Sequence, residues 1–177
     1  MKTYTYPVIA KIIYRYANFP ITLLLFFYVI ISAAESFEKI YFLIPLIINL
    51  IIIFLLNRHY YRTYKVQPFN IKIDNNKMIC TDYYLSRKSV ELRFTDITEI
   101  SGGIFTGSQT TPLYLISDKS DTTIKINHRL INYKEFLTTV LQNINQELYD
   151  SLLERMKNYA EIKSAARRKE KKQNKYK

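Results

Sequence analysis

The sequence predicts a membrane protein of mixed α+β class. A transmembrane hairpin of two helices comes first, followed by an antiparallel β-sheet or barrel that a long C-terminal helix caps. Two uncharged apolar runs, residues 17–34 and 40–56, lie near the start of the chain. Short alternating segments separated by turn residues occupy residues 68–131, and a helical repeat of apolar residues follows. These three patterns, in this order, define the class.

The two apolar runs have the length of membrane spans. Each is close to the ~20 residues with which a helix crosses a hydrocarbon core of ~30 Å. Only residues 35–39 separate them, so the spans form an antiparallel hairpin. The flanks of the hairpin are basic, with Lys2, Lys11, Arg15, Arg58, Arg62 and Lys65. Basic flanks stay in the cytoplasm, so we expect a protein of the bacterial cytoplasmic (inner) membrane with both termini on the cytoplasmic side.

Two other interpretations compete with a hairpin. A signal peptide cleaved after residues 32–34 fits the small residues there, but a second span follows at once. The second alternative is that the two runs are buried helices of a soluble protein. The run of residues 40–56, however, has no polar face that could contact water.

Few polar side chains interrupt the spans: Asn18, Thr22, Ser32 and Asn49. Asn49 lies near the middle of the second span, where an amide can hydrogen-bond across the hairpin or to another subunit. We therefore predict Asn49 to be a transmembrane contact. Neither span carries the ionisable groups that mark transport pathways.

The sequence after the hairpin, residues 68–131, predicts short strands. Strands are predicted at residues 69–73, 78–85, 89–94, 112–116 and 122–126. Residues 74–77 form a turn, and a second turn over residues 94–100 seats Ile97 and Ile100 inward. Strands at this spacing without helices between them favour a curled antiparallel sheet.

A helix is predicted to begin at Asn132, which with Glu135 resembles a capping box. Its apolar face contains Phe136, Leu137, Val140, Leu141, Ile144 and Leu148. The same periodicity continues to about residue 170 without Gly or Pro, which predicts one helix of nearly 40 residues.

Residues 69–148 resemble the bacterial pleckstrin-homology-like domain found in small membrane-anchored proteins. The resemblance rests on the segments IKIDNNKMIC, RKSVELRFTDITEI and TIKINHRLINYKEFL. It implies a seven-stranded curled sheet capped by one C-terminal helix. Lipid-binding members carry basic residues in the first hairpin loop, whereas residues 74–77 contain one lysine, so specific phosphoinositide recognition is not expected. Arg87 and Lys88 at the next turn are either solvated charges or contacts with anionic lipid.

The predicted helix extends beyond the strand domain, and its later apolar residues are Leu152, Leu153, Met156, Tyr159 and Ile162. Either this stripe binds a partner, another copy or a different protein, or the helix bends back onto the domain or membrane. The absence of Gly and Pro favours the partner. Its predicted partner-facing residues are Leu152, Met156, Tyr159 and Ile162.

The chain ends in a basic tail, in which residues 163–177 contain eight basic residues and one acidic residue. The residues predicted to contact anionic lipid or a partner are Arg167, Arg168, Lys169, Lys171 and Lys172. A solvated tail with a disordered end is the alternative. The basic run contains a single aromatic residue, Tyr176, with which to stack bases, so nucleic acid is not an expected partner.

No constellation for catalysis, cofactor or metal binding is found in the sequence. Cys80 is predicted to be a core residue, because no basic neighbour lowers the pKa of its thiol. His59 and His128 have no metal-ligand spacing around them. Gly102, Gly103 and Gly107 lack the Gly-Lys-Ser/Thr ending of a phosphate loop.

We therefore predict three regions, residues 1–66 (hairpin), 67–148 (strand domain) and 149–177 (helix extension and tail). The expected function is a non-catalytic scaffold or adaptor that recruits protein partners at the cytoplasmic membrane surface. The alternative is a small accessory or immunity subunit that acts on a larger membrane complex through its spans. A hydrolase with its site in the strand domain is the third class.

Overall fold

The computed structural model describes residues 1–106, 108 and 110–173, except for the side chains of residues 163 and 165–173. The chain divides into two compact units. The first, the strand unit, contains residues 1–6, 68–82 and 88–177, and the second, the hairpin unit, contains residues 7–67 and 83–87. This division differs from the predicted regions, because residues 1–6 join the strands and residues 83–87 join the hairpin.

The described residues of the strand unit form seven strands in two antiparallel sheets. Sheet one has the order β1-β2-β3-β4, and its strands are Lys2–Thr5, Pro68–Ile73, Lys77–Tyr83 and Val90–Arg93. Sheet two has the order β5-β6-β7, with strands Glu99–Gly102, Leu113–Ser117 and Thr122–Ile126. The five predicted strands are confirmed, and β1 and β5 are additional.

Strand β1 precedes the hairpin in sequence yet pairs with β2 beyond it, in a register that sets Tyr4 opposite Ile71. Tyr4 is buried, and its ring meets that of Phe136 edge-on with centroids 5.5 Å apart. The hydroxyl of Tyr6 accepts a 2.9 Å hydrogen bond from the backbone N–H of Asn127. The hairpin is thus inserted between two adjacent strands of one sheet.

Turn chemistry agrees with the sequence. The carboxylate of Asp74 accepts 2.9 Å hydrogen bonds from the backbone N–H groups of Asn76 and Lys77, which lowers the pKa of Asp74. A short 3₁₀ turn at Phe94–Asp96 leads to Ile97 and Ile100, both of which are buried as expected.

The C-terminal part is two helices, α4 (Tyr133–Asn143) and α5 (Gln146–Gln173), so the prediction of one continuous helix is wrong. Ile144 is extended between them, with ψ 165°. The side chain of Asn145 donates a 3.4 Å hydrogen bond to the carbonyl of Thr95. This tertiary contact and the extended residue break the helix without Gly or Pro.

The capping box is also absent. Asn132 precedes α4 in a left-handed conformation (φ 56°) and its side chain caps nothing. Glu135 instead pairs with Lys2, whose Nζ lies 2.6 Å from a carboxylate oxygen. The buried face of α4, with Phe136, Leu137 and Val140, agrees with the prediction.

The hairpin unit contains three helices in its described residues, α1 (Val8–Tyr16), α2 (Asn18–Ser36) and α3 (Leu43–Tyr64). Helix α1 precedes the predicted first span, residues 17–34, and is additional to the prediction. Helix α2 packs against α3 along its length.

Candidate functional site

The contact between α2 and α3 follows a seven-residue repeat. Side chains with reduced exposure recur at alternating spacings of four and three. On α2 they are Asn18, Thr22, Leu25, Val29, Ser32 and Ser36, and on α3 they are Leu46, Asn49, Ile53, Leu56, Tyr60 and Thr63. This is the pattern of two helices packed as a left-handed coiled coil.

Three polar side chains of this contact form a cluster that we call the amide clasp: Asn18, Thr22 and Asn57. Asn18 Nδ2 donates to Asn57 Oδ1 at 2.8 Å. Asn57 Nδ2 donates to Thr22 Oγ1 at 3.0 Å and to the carbonyl of Ile53 at 2.9 Å. The clasp therefore ties the first turns of α2 to the last turns of α3.

Asn49 lies on the same contact and is half-buried. Its side chain forms no hydrogen bond with any described residue, so the structure gives the interhelical bonds to the amide clasp instead. Asn18 and Thr22 are four residues apart, which places them on one helix face, and this spacing was the available sequence signal. Asn57 was not predicted as a contact, because it lies just after the uncharged run of residues 40–56.

The outer faces of the hairpin are apolar and exposed. Two segments, Val8–Ser36 and Ile40–Tyr64, are long and apolar enough to cross a membrane, and almost none of their side chains are buried within the chain. Examples of large apolar side chains with at least half of their surface exposed are Phe27, Ile31, Ile48 and Leu55. Such surfaces are stable in lipid and unfavourable in water.

Aromatic rings collect where α3 ends. The rings of Tyr14 and Tyr64 stack with centroids 5.7 Å apart, and Tyr60 lies 4.4 Å from Tyr64. The hydroxyl of Tyr60 donates a 2.7 Å hydrogen bond to the carbonyl of Ile13. Tyr84, on the turn after β3, meets Tyr60 edge-on at 5.9 Å. These tyrosines hold α1 and this turn to α3.

The predicted partner-facing residues on α5 fall into two groups. Leu152 is only 1% exposed, so it is part of the core of the strand unit and does not face a partner. Met156 is half-buried, whereas Tyr159 and Ile162 are exposed, Ile162 by 66%. Helix α5 packs on a 3₁₀ turn, Gly103–Thr106, through its early residues. The apolar stripe of α5 is therefore buried in the strand unit at Leu152 and exposed at Tyr159 and Ile162.

The backbone of α5 is helical to Gln173. The side chains of the predicted tail contacts, Arg167, Arg168, Lys169, Lys171 and Lys172, lie outside the described residues. The expected disordered end, residues 174–177, also lies outside them.

A groove of about 910 Å³ runs beside α4 in the strand unit. Its floor is apolar, with Ile104, Tyr133, Leu137 and Leu141, and His128 lies at its rim. Burial raises the pKa of Tyr133. The groove has the size of a site for a small apolar ligand or a peptide side chain.

No known protein family, curated protein or solved structure matches the chain. The arrangement of its own residues is therefore the only guide to its chemistry. Among the described residues no three His, Cys, Asp or Glu side chains come together as a metal site. Cys80 is fully buried in β3 opposite Val90, in agreement with its predicted place in the core.

Proposed function

We propose that this protein is a membrane-anchored adaptor of the bacterial cytoplasmic membrane, with both termini in the cytoplasm. In this proposal the hairpin crosses the bilayer and the strand unit, a pleckstrin-homology-like module, recruits a protein partner through the exposed end of α5. The role is non-catalytic.

The anchoring half of the proposal is supported by the hairpin. Its outer faces are apolar, its polar side chains are turned into the helix–helix contact, and its flanks are basic. The strand pairing adds an argument about topology. Because β1 and β2 pair with each other, the chain leaves and re-enters the same folded unit, as two spans of one hairpin require.

The pleckstrin-homology-like interpretation is supported by the strand arrangement. Four antiparallel strands and then three are followed by α4, which buries Phe136, Leu137 and Val140. The number of strands and the following helix agree with what the resemblance implies, although β1 comes from residues 2–5, outside the resembling segment, and the strands form two sheets.

The observation that carries the adaptor role is the change in burial along one stripe of α5. The helix has 28 residues, or about 42 Å, and among its described side chains the covered ones lie in the first turns, up to Met156. Leu152 is buried, while Tyr159 and Ile162 continue the same apolar periodicity into solvent. An apolar helix stripe without cover is a surface that a partner helix or groove can bury.

Site-specific photocrosslinking in cells tests this role. A photoreactive amino acid at Tyr159 reports on the stripe, and the same residue at Lys157, exposed on the other side of α5, is the matched control. We expect a discrete crosslinked protein band from Tyr159 and none from Lys157. Equal crosslinking at both positions, or none at Tyr159, would contradict the adaptor role. Crosslinks confined to a label at Phe27 would instead favour the accessory subunit that acts through the spans.

A further inference from the structure

Helix α1 is separate from the span that follows it. Val8–Ser36 has 29 residues, more than the ~20 that a span needs, and the helix is interrupted at Ala17. Pro20 explains the interruption, because it has no N–H to donate to the carbonyl of Tyr16 and its ring crowds that carbonyl. The first nine helical residues are therefore free to take a direction different from α2.

The two faces of α1 differ. Ala10 and Tyr14 are buried, and Tyr14 stacks on Tyr64 of α3. The opposite face consists of large exposed side chains: Val8, Ile9, Ile12, Ile13 and Tyr16. Ile9 is 74% exposed, more than most side chains of the spans themselves. Lys11 and Arg15 lie between the two faces. A helix with this division is typical of one that lies in the plane of a membrane surface.

The turn over residues 83–87 has the same character. Leu85 is 81% exposed and sits in the left-handed region with φ 51°, which is uncommon for a bulky residue. Such strain persists where the surroundings fix it and often marks a functional position. Arg87, two residues later, is exposed as well. Tyr84 holds this turn to Tyr60, the residue whose hydroxyl also bonds to α1.

We propose that α1 and Leu85 form a lipid-contacting collar around the base of the hairpin. The exposed face of α1 lies at the boundary between headgroups and acyl chains, and Leu85 enters the same layer. Lys11, Arg15 and Arg87 provide positive charge for anionic headgroups. This inference rests on the proposed anchoring of the hairpin in a membrane.

Continuity with the spans identifies the occupant as lipid. An apolar groove of about 570 Å³ at the junction of α1 and α2 is lined by Ile12, Ile13, Tyr16, Ala17, Phe19 and Pro20. These residues belong to α1 and to the first turn of α2, so the uncovered apolar surface runs without interruption from one helix to the other. A bilayer that surrounds α2 meets the face of α1 at the same level.

Depth measurements on the full chain test the collar. The protein is reconstituted in vesicles of equimolar phosphatidylcholine and phosphatidylglycerol, with one spin label at Ile9→Cys, Ile12→Cys or Leu85→Cys. Cys80 is fully buried and does not compete for the label. Collision with oxygen, which prefers lipid, is compared with collision with a water-soluble nickel chelate. Phe27→Cys on the outer face of α2 serves as the hydrocarbon reference, and Lys72→Cys on β2 as the water reference.

We expect the ratio of oxygen to nickel collisions at Ile9, Ile12 and Leu85 to lie between the two references. A water-like ratio at Ile9 and Ile12 would overturn the collar while leaving the anchor intact if Phe27 reports hydrocarbon. A ratio equal to that of Phe27 would make α1 part of the span, and low collision with both reagents would mean that protein covers it. Either result overturns the proposal. A water-like label at Phe27 would refute the anchor itself.

Discussion

Replacement of Asn57 by leucine tests the amide clasp, because Asn57 takes part in both interhelical hydrogen bonds of the clasp. The substitution removes the bonds to Asn18 and Thr22 while it keeps the branched shape and the number of side-chain heavy atoms. Hydrogen bonds between membrane helices contribute about 0.6 kcal/mol on average and at most about 1.7 kcal/mol. Two such bonds predict a loss of about 1–2 kcal/mol in the stability of the hairpin. Asn18 Oδ1 has no hydrogen-bond partner among the described residues. In the variant Asn18 Nδ2 also loses its acceptor, so the whole buried amide is unpaired.

The assay is equilibrium unfolding of the full chain in mixed micelles, with a double-mutant cycle that combines Asn57→Leu and Asn18→Leu. The cycle isolates the pairwise bond, and we expect a coupling of about 0.5–1.5 kcal/mol. Asn49→Leu is the matched control, since Asn49 shares the helix contact and forms no side-chain hydrogen bond with a described residue. Its expected effect is below about 0.5 kcal/mol. A larger loss from Asn49→Leu than from Asn57→Leu, or an uncoupled cycle, would refute the reasoning.

Three further predictions concern the strand unit. Leu152→Ala should lower the free energy of unfolding by about 2–5 kcal/mol, because it opens a cavity in the core, and thermal unfolding in detergent measures this. Gly102→Ala should destabilise more than Gly103→Ala in the same assay, because a Cβ at Gly102 would collide with the carbonyl oxygen of Pro112. Burial lowers the pKa of Lys125, so the folded state disfavours its charge. Stability should therefore rise as pH increases from the folded pKa toward the ordinary lysine pKa, and Lys125→Met should abolish that rise in a series of melting curves; a rise that persists in the variant would contradict this origin.

Short-range sequence patterns predicted the helices, strands and turns that depend on neighbouring residues. The uncharged runs predicted two long apolar helices, and α2 and α3 lie there, each long and apolar enough to cross a membrane. Alternation gave β2, β4 and β7, and the residues of the turn at 74–77 gave its geometry through Asp74.

The features that the sequence did not predict depend on distant partners. Strand β1 is four residues long, and its partner β2 lies beyond the whole hairpin. The break between α4 and α5 involves Thr95, about fifty residues away, and no helix-breaking residue marks it. Leu152, which the sequence placed on the partner-facing stripe, lies in the core of the strand unit, because α5 packs on residues far from it in sequence.

The insertion of the hairpin between β1 and β2 determines how the strand unit can be studied in water. Deletion of residues 1–67 would remove not only the hairpin but also β1, with the buried side chains of Tyr4 and Tyr6. That deletion exposes the edge of β2 and the ring of Phe136, so we expect an aggregated product.

Replacement of residues 7–67 by a short Asn-Gly turn keeps β1 in place instead. Thr5 already pairs with Asn70, and antiparallel strands in this register can be joined by a loop of about two to five residues. We expect this shortened chain to be folded and soluble, with dispersed amide resonances in a two-dimensional NMR spectrum, and the simple deletion to lack them. If both forms fold equally well, β1 is dispensable and the sheet does not depend on the strand that precedes the hairpin. If the short turn alone restores folding, the hairpin is an insertion within one folded domain, and β1, which precedes the hairpin, is needed to complete the four-stranded sheet.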